Sequence, residues 1–175
     1  IEKDLGLSIS YVNKPGAGLQ LGMTDIALAK PDGYTLGYTT MPNVITIYLD
    51  PERKAVFTRQ SFAPIAMHMV VPNIWVVMAN SKWKTLKDLV DDAKANPEKV
   101  KAATTGILGD VHMAILALER LTGARFAAVH LTGAATNELL VVHIDVAVDN
   151  VGLYQYQMAA GEVRVLGIMD KEESK

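Results

Sequence analysis

TLKDLVDDAKANPEKVKAATTGILGDVHMAILALERLTG, residues 85–123, sets two helical runs on either side of one short strand. Thr85 stands three residues before Asp88, the spacing of a capping box closed by a short acid, and Asn96-Pro97 stops the run. Residues 100–104 read as a strand, 105–109 as a glycine-bearing turn, and 110–121 as a second helix ended by Thr122-Gly123. The alternation continues downstream. A strand is expected at 125–131, a helix from Gly133 to about Val141, a strand at 144–148, a helix at 153–160 closed by Gly161, and a last strand at 163–169. Helices and strands alternating at these lengths predict an α/β fold whose parallel sheet carries helices on both faces.

Upstream the pattern is looser. A strand is expected at 8–12, a loop at Asn13-Lys14-Pro15-Gly16-Ala17-Gly18, and a helix from about Leu19 to Lys30. Pro31-Asp32-Gly33 is a turn, and 34–40 reads as another strand. Residues 62–79 are strongly apolar but broken by Pro64 and Pro72, which fits two strands joined by a kink. That stretch is the expected crossing between a first and a second lobe. Ile1-Glu2-Lys3-Asp4-Leu5-Gly6 reads as the last turn of a helix, and Lys171-Glu172-Glu173-Ser174-Lys175 as the start of a loop. Both ends suggest a fragment of a longer protein.

Composition narrows the function classes. Half of the 175 residues are hydrophobic, enough for a core, so a disordered tail is excluded. The 17 basic and 19 acidic side chains leave a net charge of -2, with no basic footprint for nucleic acid. No apolar run reaches about 18 residues, the length a membrane-crossing helix needs. Cysteine is absent, which removes disulfides, thiolate nucleophiles and cysteine-ligated metals.

In an open α/β sheet, ligands sit at the carboxyl ends of strands, against helix N-termini. That rule selects four loops. The first runs from Thr104 through Thr105, Gly106 and Gly109 to Asp110. The others are Leu131-Thr132-Gly133-Ala134-Ala135-Thr136, Asp149-Asn150-Val151-Gly152, and Thr39-Thr40-Met41-Pro42-Asn43. Each is also ordinary turn and cap chemistry, and only their convergence on one edge would make an anion site. The loop at 13–18 lacks the ending of a phosphate loop and reads as a structural turn. His112, in the first turn of a helix, could donate to a ligand carboxylate or hold the loop; His68, His130 and His143 read as structural. No histidine pair has metal-binding helical spacing, no serine sits in a Gly-x-Ser-x-Gly elbow, and no carboxylate pair has an evident acid/base setting. Asp149 ends an apolar strand, either as a functional acid or as a turn cap. Met23, Met113 and Met158 read as core filler.

Read together, these motifs resemble one family. Asn13-Lys14-Pro15-Gly16-Ala17-Gly18 followed by Pro31-Asp32-Gly33-Tyr34-Thr35-Leu36 is similar to the "NKPGAGG…PDGYTL" signature of the Bug family, the extracytoplasmic receptors of tripartite tricarboxylate transporters (TctC-like proteins). Phe62-Ala63-Pro64-Ile65 resembles "FAPV". Thr85-Leu86-Lys87-Asp88-Leu89 with Ala95-Asn96-Pro97 resembles "TLxEL…ANP". Thr105-Gly106 through His112, then Thr122-Gly123, resembles "SGxGTxxH…TG", and Asp149-Asn150 with residues 160–166 resembles "FDN…AGKLRxLA". Three departures stand out. Thr132 replaces the lysine of "PYKG", Leu108 stands at the second glycine of "GxG", and Val141-Val142 replace paired glycines before "VDxxFDN".

The resemblance implies a periplasmic-binding-protein-like, two-lobed fold with a mostly parallel sheet in its second lobe. It divides the chain into a partial first lobe at 1–67, a nearly whole second lobe at 68–170 and the start of a loop at 171–175. It implies a non-enzymatic, periplasmic receptor without cofactor or metal, which binds a small di- or tricarboxylate between its lobes, closes by hinges at 67–72 and near 167–170, and delivers the ligand to membrane permease subunits. The ligand-binding residues it implies are Thr105, Gly106, Gly109, Asp110 and His112 on one wall, and Thr132, Gly133, Ala134, Asp149 and Asn150 on another. Thr40 and Pro42 would come from the first lobe. A sensor presenting ligand to a membrane signalling partner is the alternative, and a small α/β hydrolase or transferase a further one.

Overall fold

The structure, a computed structural model, describes residues 2–131 and 135–170, with Leu5 described by its backbone. The chain forms two compact units, Ile1–Ala63 and Pro64–Lys175.

The first unit is helical. A short α1 (Glu2–Leu5) is followed by α2 (Gln20–Leu28) and α3 (Asn43–Leu49). Met23 of α2 and Val44 and Ile47 of α3 are buried with Phe57, whose ring meets Phe62 edge-on at 5.3 Å. The loop at 13–18 ends in a 3-10 turn (Ala17–Leu19), and the Arg53 guanidinium donates to the Ala17 carbonyl at 3.3 Å. The strands expected at 8–12 and 34–40 are not formed: both stretches are almost wholly exposed and carry no ladder. Their alternation suits a strand, but a strand exists only against a partner, and among the described residues none pairs with them.

The second unit is a three-layer α/β sandwich. Its strands are β1 (Asn73–Met78), β2 (Lys101–Thr104), β3 (Ala127–His130), β4 (Val146–Asn150) and β5 (Val163–Ile168), and its helices α4 (Leu86–Ala95), α5 (Asp110–Thr122), α6 (Thr136–Leu140) and α7 (Gln155–Ala159). The sheet order is β3-β2-β4-β1-β5. β2 is parallel to β3 and β4, while β1 is antiparallel to β4 and β5, so four of the five strands point one way. Of the two strands expected in 62–79 only β1 forms. Pro64 and Pro72 bring no N–H to a ladder, and residues 64–71 are exposed.

Period-two alternation splits the sheet into two buried faces. Trp75 and Val77 of β1, Ala102 of β2 and Val146 and Val148 of β4 pack under Leu89, Val90 and Ala93 of α4 and Val111, Ala114 and Ile115 of α5. Ile74 and Val76, Ala103 and Ala147 face the other way, onto Leu139 of α6, Ile144 and Tyr154. Met23 is core, as expected, but Met113 and Met158 are about two-fifths exposed: each lies on the outward side of its helix.

The helix ends follow local chemistry. The Thr85 hydroxyl accepts from the Asp88 N–H at 3.1 Å, and the Asp88 carboxylate accepts from the Thr85 N–H at 2.9 Å, the reciprocal cap that the spacing predicts. α7 closes in a Schellman turn on Gly161 at φ 69°, with Gly161 N–H donating to Met158 O and Glu162 N–H to Gln157 O. α6 closes in the same turn: Val142 N–H donates to Leu139 O and His143 N–H to Glu138 O. Here, however, the left-handed position at φ 59° is held by Val142, a β-branched residue, where the resembled family has glycine. Val142→Gly is therefore expected to stabilise the protein by about 1 kcal/mol in chemical denaturation, because relief of left-handed strain outweighs the added freedom of the unfolded chain.

Candidate functional site

Because β2, β3 and β4 run parallel, their carboxyl ends share one edge, bringing Thr104, His130 and Asp149-Asn150 together. The antiparallel β1 starts at that edge, with Asn73 opposite Asn150.

The loop after β2 is held by two side chains. Thr104 is buried, and its hydroxyl donates to the Gly106 carbonyl at 2.9 Å. The Leu108 N–H donates to Nδ1 of His112 at 2.9 Å. Gly106 at φ 134° uses backbone freedom that only glycine has, and Leu108 takes the left-handed conformation at φ 58°. Leu108 stands at the second glycine of the resembled motif, and the His112 bond secures it in this conformation. Gly109 then caps α5 without a side-chain hydrogen bond, and the helix's first turn places its backbone N–H groups at the edge.

His112 does two things at once. Accepting from Leu108 requires a neutral Nδ1, so the proton sits on Nε2, a donor. Burial, and then the neighbouring His130, hold its pKa below the ordinary histidine value, with Glu119 pulling it back up. The two imidazoles meet edge-on at 4.9 Å.

Asp149 supplies the opposite character. It is 4% exposed; one carboxylate oxygen accepts from the Asn150 N–H at 2.9 Å, while Oδ2 has no hydrogen-bond partner among the described residues. Burial raises its pKa, the Asn150 bond lowers it, and Asp110 at the head of α5 raises it further. Tyr154, in the 3-10 turn Val151–Tyr154 after β4, is fully buried, and burial pushes its phenol up to about 12. Thr136 lies near enough to temper that rise, yet the hydroxyl makes no hydrogen bond of normal geometry.

The structure thus gathers Gly106, Gly109, Asp110, His112, Asp149 and Asn150 at one edge, with Thr105 exposed on the same loop. Thr132, Gly133 and Ala134 lie outside the described residues. Thr40 and Pro42 belong to the first unit, where Thr40 is exposed and both carbonyls accept from the first turn of α3. Two neighbours were not singled out from sequence: His130 reads as a structural histidine and Tyr154 draws no notice, whereas Thr104 opens the first of the four selected loops; the topology draws all three together.

The family model of the tripartite tricarboxylate transporter family receptor, TctC, matches residues 1–175. The chain belongs to that family. Among curated relatives, a UPF0065 protein of Pseudomonas sp. (strain P51), from the tcbD-tcbE intergenic region, is 25% identical over 170 residues, which are 96% of this chain and 50% of the relative. A TctC solute-binding protein from Polaromonas is 27% identical with a TM-score of 0.71, over 94% of this chain and 56% of that one. MatC from Rhodopseudomonas palustris, solved with bound malate, superposes with a TM-score of 0.82 at 24% identity, over 98% of this chain and 59% of that one. The chain thus spans about half the length of the curated relative it matches. These likenesses agree with the periplasmic-binding-protein-like fold expected from the sequence.

Proposed function

We propose that this TctC-family chain is the ligand-binding part of a periplasmic solute receptor, not an enzyme, and that it holds a small organic carboxylate for membrane permease subunits. The observation that carries this is the pairing of the α5 N-terminus, whose Gly109 cap makes no side-chain hydrogen bond, with the neutral His112 whose remaining ring proton is a donor. Backbone N–H groups at a helix start and a histidine Nε2–H can bind a carboxylate without a cationic clamp. On this proposal Thr105, Gly106, Gly109, Asp110 and His112 form one wall and Asp149 and Asn150 another. The malate bound by the Rhodopseudomonas relative supports the choice of a small organic acid.

The test is a thermal-melt titration with di- and tricarboxylates, using sulfate and phosphate as controls for a general anion effect. A specific carboxylate is expected to raise the melting temperature in a concentration-dependent way, reaching about 2.7 kcal/mol of stabilisation at 100 times its Kd. Equal shifts with sulfate would leave only a generic anion site, and no shift with any acid would refute the proposal.

A further inference from the structure

Thr104 and Asp149 are the polar side chains buried among the described residues, and only Thr104 is fully provided for. Among the described residues Asp149 keeps one oxygen without a partner, and the Tyr154 hydroxyl, within its electrostatic reach, makes no hydrogen bond of normal geometry. A buried acceptor left unbonded is costly and calls for an explanation; Thr39 Oγ1, Trp75 Nε1 and Gln157 Oε1 share that state, but Asp149 is the carboxylate among these groups and stands at the candidate edge.

The setting indicates what would complete this one. Asp149 lies within electrostatic reach of Asp110, the first residue of α5, and of Tyr154. It follows Ala147 on the alternating strand β4 and so shares that residue's face, over Tyr154 and Leu139. A second carboxylate nearby makes this spot hostile to an anion. At the same strand edge, the start of α5 and His112 offer donors. The edge is therefore bipolar: donors on one side, an unbonded acceptor on the other. A plain dicarboxylate matches only the first.

We propose that Asp149 is a specificity-determining residue that accepts a hydrogen bond from the ligand, so that the site selects organic acids bearing a hydroxyl or ammonium group over unsubstituted dicarboxylates. This rests on the carboxylate-binding proposal above and narrows it. Succinate, malate and aspartate share one carbon skeleton and differ in the donor alone: none, a hydroxyl or an ammonium.

Calorimetric titration of the three acids into the wild-type chain is expected to show malate or aspartate binding roughly ten- to a hundredfold more tightly than succinate, the range for a hydrogen bond to a charged partner. Tighter malate assigns the donor as a hydroxyl, and tighter aspartate as an ammonium. In Asp149→Asn, whose amide oxygen can still accept from the Asn150 N–H, the ratio to succinate should collapse toward one. Equal binding of all three acids by the wild type overturns the proposal while leaving the carboxylate site standing. Preference unchanged in Asp149→Asn overturns it too. So does affinity for all three that rises as pH falls in the wild type but not in Asp149→Asn, since Asp149 would then act as a protonated donor to a ligand carboxylate. No binding of any acid overturns this proposal together with the one beneath it.

Discussion

Replacing Trp75 with alanine is expected to cost about 3–5 kcal/mol, a large share of the stability of a unit this size. Trp75 sits on β1, hydrogen-bonded to strands on both sides, and is 1% exposed. Its ring packs 5.5 Å from that of Phe126 and contributes to the face under α4 and α5. Truncation there leaves a cavity that the flanking strands cannot close. Trp75→Phe should cost far less. It keeps most of the ring contact and deletes an indole N–H that is buried without a hydrogen-bond partner. Urea denaturation of the three proteins, followed by circular dichroism, checks the order wild type, Phe, Ala. Equal losses for Phe and Ala would show that the contact with Phe126 matters less than the geometry implies.

The second large effect concerns His112. His112→Ala removes the acceptor that holds Leu108 in its left-handed conformation, and is expected to cost about 1–2 kcal/mol and to speed amide exchange at Leu108. Acid should produce the same loosening. The native pKa of His112 lies below its unfolded value, so the folded state binds this proton less well than the unfolded chain does. The stabilising bond is fully present above about pH 6.5, the unfolded value, and is lost as pH falls through the lower native value. A protonated Nδ1 would present a hydrogen to the Leu108 N–H. His112→Gln offers a neutral amide oxygen as acceptor and should abolish the pH dependence of the protection factor at Leu108, the exchange rate divided into its intrinsic unfolded-chain value at each pH. If wild type and His112→Gln show the same pH profile, the loop is not held by the imidazole.

Much of the second unit is legible in the sequence because its signals are local. Thr85 with Asp88, Gly123 after α5 and Gly161 after α7 each mark an end through a hydrogen bond made within a few residues. The direction of β1 is not legible, since alternation tells which face a residue takes and says nothing of which way the strand runs. Residues 8–12 and 34–40 fail for a related reason: strand-like patterning is a preference that only a neighbour can realise. The site divides in the same way. The glycines at 106 and 109 and the acid at 149 advertise a loop and a strand end. The acceptor role of His112 depends on the backbone turn at Leu108, which its side chain does not announce. Tyr154 draws no notice in the sequence because its burial, not its type, makes it notable. Leu108 and Val142 stand at glycines of the resembled motifs, and the left-handed backbone that each adopts shows only in its φ angle.

The central claim is that a carboxylate binds at the carboxyl edge of β2 and β4, against the start of α5. Titrating the chain with malate while following backbone amide resonances tests it directly. The account predicts that the largest shifts fall on Gly106, on Leu108 through His112 and on Asn150, saturating together with the melting shift. Saturable shifts confined to other parts of the chain, or none at any malate concentration, would contradict it.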